Sequence, residues 1–324
     1  MLMFPVERMR RYRLNSNIRD IFTETSINSD KLIMPVFVDE TAKSKTAIKS
    51  MPGIYRYSLK EYEKYIGHLE DIGVKNIILF GIPAQKDSSG TASYDHNGIV
   101  QNAIRSAKAN TKLNVIADLC LCEYTDTGHC GIISSGYVDN DKTLDIYGKE
   151  AISYAEAGVD IIAPSGMMDG QVGTIRKALD TSGYINTIIM AYSSKFASNL
   201  YGPFRDAADS APQFGDRKSY QMDYRNGDEA MDEISLDIKE GADIIMVKPA
   251  LFYLDVIYRA KQLYKKPLAT YMVSGEYSMI KNAVLSGNLA PDAINEALIA
   301  LFRAGSDLAI TYFAEDYIAN HGRA

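Results

Sequence analysis

The sequence predicts an α/β fold, a (β/α)8 or TIM barrel, from three observations. It is 324 residues long, more than one ordinary domain needs but usual for such a barrel. One phrase recurs, in which a helical stretch ends at glycine, a polar residue follows, and a β-branched apolar run comes next. It reads GVKNIILF at 73–80, GVDIIAP at 158–164, GADIIMVK at 241–248 and GSDLAIT at 305–311. Runs of this kind number eight, beginning near Leu32, Asn76, Leu113, Asp160, Thr187, Asp243, Leu268 and Leu308.

Each element has a local cause. Glycine after a helix suits a left-handed C-terminal cap. The runs lack strict alternation, as expected of strands buried on both faces. Between them lie amphipathic helices. One starts at Ser58, whose hydroxyl caps it while Glu61 reaches back, with Leu59, Tyr62, Ile66 and Leu69 on its apolar face. Another covers about 228–240. Right-handed crossovers close eight such units into a barrel. An open doubly wound sheet is the alternative, but no glycine-rich nucleotide fingerprint follows an early strand. Two segments stand outside the repeat. Residues 1–30 form an N-terminal arm ahead of a catalytic barrel at 31–324, and about 193–227 form a long polar connection. The latter carries Phe196, Tyr201, Phe204 and Tyr220 and reads as an active-site lid.

Composition narrows the function classes. The net charge of -6 opposes polyphosphate partners, so no nucleic acid is expected. Arg8, Arg10, Arg11 and Arg13 are an exception, read as part of an arm that docks on acidic surface, such as a neighbouring subunit. No apolar run is long enough for a membrane span, and Met1 to Val6 is too short for a signal peptide. Three cysteines within eleven positions suggest a reducing, cytoplasmic setting and a metal site rather than disulfides.

In a barrel of this kind, chemistry sits at the C-terminal strand ends. Asp118, Cys120 and Cys122 follow the third strand and Ser165 the fourth. Ser193 and Lys195 follow the fifth, Lys248 ends the sixth, Ser274 follows the seventh and Tyr312 ends the eighth. Lys248 ends an apolar run, where desolvation disfavours the ammonium, and Lys195 adds like-charge repulsion. A neutral amine there attacks a ketone to give a Schiff base. In extended chain Cys120 and Cys122 point to one side, and Cys130 returns after a short loop. Three thiolates leave zinc one open position, the catalytic arrangement. His129 is a further ligand or an outer partner. Arg205, Arg217 and Lys218 on the lid suit a carboxylate substrate. A lysine-dependent aldolase explains Lys248 but not the cysteines or the second lysine. A metal sensor explains the cysteines but not the lysines.

The segments DLCLCEY (118–124), GHC (128–130), APS (163–165), KFAS (195–198), YGPFRD (201–206), GDRKSYQ (215–221), MVKP (246–249) and VSGEY (273–277) resemble the porphobilinogen synthase (5-aminolevulinate dehydratase) family, zinc-dependent branch. The resemblance runs from about Arg8 to Tyr317. It implies a hydro-lyase that condenses two molecules of 5-aminolevulinate into porphobilinogen, with loss of two waters, in tetrapyrrole (heme) biosynthesis. It implies Schiff bases on Lys248 for the first substrate and Lys195 for the second. Ser274 and Tyr312 would bind the first carboxylate, and Arg205, Arg217 and Gln221 the second. Asp118 and Ser165 would contact the first amino group or move protons, and Phe204 would line the substrate site. Catalytic zinc on Cys120, Cys122 and Cys130, allosteric magnesium on Glu233 and a homo-octamer joined through the arm are implied as well. Two positions depart from the family's pattern: Gly166 replaces an aspartate and Gln171 an arginine.

Overall fold

The computed structural model describes residues 3–321. Eight parallel strands form the barrel: β1 (Leu32–Asp39), β2 (Asn76–Ile82), β3 (Asn114–Leu119), β4 (Ile161–Pro164), β5 (Ile188–Lys195), β6 (Ile244–Lys248), β7 (Leu268–Met272) and β8 (Leu308–Thr311). Each pairs with the next, and Leu32 of β1 pairs with Ala309 of β8 to close the ring. The predicted strand starts hold to within one residue. All eight are buried over nearly their whole length, because helices cover the outside and side chains fill the inside.

The helices are α1 (Ser16–Ile21), α2 (Leu59–Ile72), α3 (Ile99–Asn110), α4 (Asn140–Glu156), α5 (Gln171–Thr181), α6 (Gly202–Ala207), α7 (Gly227–Glu240), α8 (Leu254–Leu263), α9 (Ser274–Leu285), α10 (Ala293–Ala304) and α11 (Ala314–His321). Helix α2 buries Tyr62, Ile66 and Leu69, and Ser58 Oγ accepts from Glu61 N–H. The expected reach of the Glu61 side chain back to the cap is not made; its carboxylate pairs instead with exposed Lys64 at 2.6 Å. Gly73 and Gly241 take φ of 101° and 109° at the ends of α2 and α7, where a side chain would be strained.

Strand β5 contains a bulge. Ala191 pairs with Ile245 and Ser194 with Val247, so two residues of β5 oppose one of β6. The strand then runs to Lys195, three residues into the stretch expected to be lid. The connection beyond it includes α6 and is strapped to the barrel mouth. Ser50 Oγ donates to Asp206 at 2.7 Å, Lys86 pairs with Asp209 at 2.9 Å, and Phe204 N–H donates to Ser274 Oγ at 2.8 Å. The arm projects apolar side chains into solvent, among them Phe4, Met9, Leu14, Ile21 and Phe22.

Candidate active site

Lys195 and Lys248 are register partners at the C-terminal ends of β5 and β6, and both are buried. The Lys248 amine lies among four rings, with centroids of Tyr271 at 4.3 Å, Tyr192 at 5.0 Å, Phe204 at 5.2 Å and Tyr201 at 5.3 Å. Burial among them, and then the charge of Lys195, push its pKa from 10.5 down to about 7. Lys195 is different. Burial opposes its charge, but the sulfurs of Cys130, Cys120 and Cys122 outweigh burial and hold it protonated. It donates to the Ser165 carbonyl. The two amines are thus neighbours of unequal charge.

Asp118, next to last in β3, feels the charge of both. Ser165 Oγ donates to its Oδ2 at 3.0 Å, while Oδ1 is buried without a partner. Burial raises its pKa, and Lys248 and Lys195 oppose that rise.

Cys120, Cys122 and Cys130 are all buried, with ligand atoms within 4.8 Å of one another. The Cys120 and Cys122 sulfurs are 3.5 Å apart. They meet in the turn that follows β3, not in the extended chain expected. Cys120 Sγ donates to Cys122 Sγ and Cys122 Sγ to Glu123 Oε2, while the close approach of the three sulfurs lowers the pKa of Cys130 well below the usual value and raises those of Cys120 and Cys122. This donor set fits zinc, since tetrahedral Zn–S bonds of about 2.3 Å place sulfurs roughly 3.8 Å apart. A divalent cation would replace the two thiol protons. Among the described residues no other group of three such side chains is close enough to hold a metal.

His129 is an outer partner rather than a ligand. Its Nδ1 meets Tyr220 Oη and its Nε2 meets the Phe214 carbonyl, both at 3.1 Å, which occupies both ring nitrogens. The departure at Gly166 has a cause as well. A Cβ there would fall 1.7 Å from Tyr147 Oη, and that hydroxyl donates to the Cys130 carbonyl at 2.6 Å. The tyrosine that braces the sulfur loop takes the room an aspartate needs. Gln171 is buried, and its Oε1 accepts from Met168 N–H at 3.3 Å.

The other expected site residues divide. Arg217 is buried and donates to the carbonyls of Gly128 and Ser210, yet its Nε has no partner. Arg205 Nε and both polar atoms of Gln221 are likewise buried and unpartnered. Such groups cost about 1–3 kcal/mol each unless something completes them. Ser274 ties the connection after β5 to the end of β7, and Tyr312 Oη lies 3.0 Å from Tyr271 Oη, next to the Lys248 cage. Phe204 packs on Phe37 and Phe80. Ser193 is not part of this convergence. The bulge turns it outward, where its hydroxyl donates to the Ala191 carbonyl at 3.3 Å and adjoins Asp237 of α7. Glu233 lies elsewhere, in a cavity it lines with Asp169 and Glu229.

Asp118, Cys122, Ser165, Lys195, Phe204, Arg217 and Lys248 line one cavity together with Tyr201 and Glu123. Sequence reasoning missed Glu123, whose carboxyl, 3.0 Å from Cys122 Sγ, is pushed up to about 7 by burial and then by Asp118. It also missed Glu276, buried in α9. Its carboxylate accepts from Leu251 and Val273 N–H, both at 2.7 Å, joining the loop after Lys248 to the turn before Ser274. A glutamate inside a motif was the only available signal for either.

Paired amines and a sulfur trio at the mouth of a (β/α)8 barrel define an enzyme built for carbonyl chemistry beside a metal. The chain belongs to the delta-aminolevulinic acid dehydratase family, whose model matches residues 6–320. The delta-aminolevulinic acid dehydratase of Archaeoglobus fulgidus is 52% identical over 314 residues, covering 97% of each chain. That of Staphylococcus epidermidis is 52% identical over 314 residues, covering 96% of this chain and 97% of the relative. The crystal structure of delta-aminolevulinic acid dehydratase (porphobilinogen synthase) from Toxoplasma gondii, in complex with the reaction product porphobilinogen, superposes with a TM-score of 0.94. It is 40% identical and covers 98% of this chain and 92% of its own.

Proposed function

We propose that Lys248 and Lys195 each hold one 5-aminolevulinate as a Schiff base in the family's reaction. The enzyme condenses two 5-aminolevulinate molecules into porphobilinogen in tetrapyrrole biosynthesis, a hydro-lyase step of class EC 4.2.1.24. One observation carries the assignment: two buried lysines in register, one of them with its pKa brought down to about 7 by burial and by the other lysine.

The neutral Lys248 nitrogen attacks the first substrate's ketone carbon, and the carbonyl oxygen leaves as water. Ser274 and Tyr312 bind that substrate's carboxylate. Lys195 holds the second ketone. Arg205, Arg217 and Gln221 take its carboxylate, and the unpartnered nitrogens of all three support this. Asp118, with one oxygen held by Ser165 and the Tyr192 hydroxyl beside its carboxyl, accepts protons from the first substrate's amino end. Phe204 and the lid keep water out while the two substrates are oriented. Cys120, Cys122 and Cys130 would hold zinc, which when bound supplies a Lewis acid to the second substrate.

Three further readings accompany this one. Glu233 is the allosteric magnesium ligand; burial and the charges of Asp169 and Glu229 raise its pKa, so a cation there relieves repulsion. Magnesium commonly uses one or two carboxylates and completes its shell with water. The exposed apolar arm joins subunits into a homo-octamer. The unpaired thiols fit a cytoplasmic setting; among the described residues, no helix is long and apolar enough to cross a membrane.

Replacing Lys248 with alanine is expected to abolish pyrrole formation from 5-aminolevulinate while zinc content is retained. Substantial turnover in Lys248→Ala would end the assignment.

A further inference from the structure

We propose that Tyr192 is a further catalytic residue, a single aromatic face that stabilises the cationic imine on both lysines. The inference rests on the Schiff-base reading above. The Tyr192 ring centroid lies 5.0 Å from the Lys248 nitrogen and 5.6 Å from that of Lys195. Both distances fall inside the range, about 6 Å, over which a ring's negative face attracts a cation.

The backbone explains how one ring reaches both. Residues 192 and 195 of a regular strand point to opposite faces. The bulge between Ala191 and Ser194 inserts one residue, so Tyr192 and Lys195 share the inner face while Ser193 turns outward. A bulge beside a functional group serves to re-aim a side chain. The buried Tyr192 hydroxyl adjoins the Asp118 carboxyl without completing a hydrogen bond, and its ring faces both lysine nitrogens.

The chemistry needs such a face. Counted from the ammonium form, a protonated lysine and a ketone give a protonated imine and water, with one positive charge before and after. An ammonium asks for three hydrogen bonds that this dry site does not supply. A protonated imine has one N–H and a spread charge, and an aromatic face satisfies it without water. The two lysines depend on Tyr192 unequally. Lys248 also meets Tyr271, Phe204 and Tyr201, whereas among the described residues Lys195 meets Tyr192 alone.

The test varies the ring's charge at constant shape. In the full-length zinc enzyme, position 192 is replaced by phenylalanine and by its 4-fluoro, 3,5-difluoro and 3,4,5-trifluoro analogues. Each protein is incubated with levulinate, a ketone acid that forms the imine but cannot turn over. The adducts are reduced with borohydride, and occupancy at each lysine is read by mass spectrometry. Tyr192→Phe, which keeps the ring and lacks the hydroxyl beside Asp118, is the reference for the series. Trapping at Lys195 is expected to fall with each added fluorine, by about tenfold across the series. Trapping at Lys248 is expected to fall less than threefold, because about three other rings remain. A flat series at Lys195, or an equal fall at both lysines, overturns the role of Tyr192. Failure of the parent enzyme to give adducts at either lysine overturns the Schiff-base reading instead.

Discussion

Lys248 should weaken the fold it serves, and the size of that effect follows from its surroundings. Its pKa falls from 10.5 to about 7, first through burial and then through Lys195. At 1.36 kcal/mol per pH unit the gap corresponds to about 5 kcal/mol. Between those two values the unfolded chain binds a proton at this site that the folded chain does not. Stability therefore rises with pH through this group. The cost is fully present below about pH 7, and roughly 2 kcal/mol of it remains at pH 9. Lys248→Met keeps an unbranched chain of similar volume and removes the titrating amine. The variant is expected to gain about 5 kcal/mol over the parent at pH 6, and about 3 kcal/mol of that gain should be lost by pH 9. Urea midpoints at both pH values, with protein and zinc concentrations fixed, measure it; groups remote from Lys248 cancel between the two proteins. A variant no more stable than the parent at pH 6, or a gain unchanged at pH 9, would refute an uncharged buried amine.

Two other perturbations address the sulfur site. Cys122→Ser is expected to lower zinc content and pyrrole formation together, read by metal analysis and activity on one preparation; full activity in a metal-free sample would rule out a required zinc. Gly166→Ala is expected to cost about 1–3 kcal/mol and to speed zinc loss to a chelator, because its Cβ displaces the Tyr147 hydroxyl from the Cys130 carbonyl. Unchanged urea midpoint and zinc release would show that this bracing is idle.

The fold was legible because the repeat is written into local chemistry. Glycine, a polar residue and a β-branched run mark where a helix stops and a buried strand begins, and the pattern fixed every strand start to within one residue. The lysines and cysteines were legible because amines at strand ends and clustered thiols have few structural uses. What escaped depends on register and close approach. Ser193 was expected in the site, but the bulge in β5 turns it toward α7, its hydroxyl on the Ala191 carbonyl, and brings Tyr192 inward. Strand pairing decides that, and no residue type announces it. The cysteines meet through a turn, which the extended reading of 120–122 did not supply. Both nitrogens of His129 are taken by Tyr220 and Phe214, far along the chain. Gly166 looked like a lost aspartate until Tyr147, nineteen positions earlier in sequence, was seen to fill its space.

Reduction of the zinc enzyme with borohydride in the presence of 5-aminolevulinate, followed by mass mapping, bears most directly on the reaction. A substrate-sized adduct on Lys248, absent without substrate and lost in Lys248→Ala, is the expected result. An adduct on some lysine other than 248 and 195, or none while turnover proceeds, would contradict an amine-bound route.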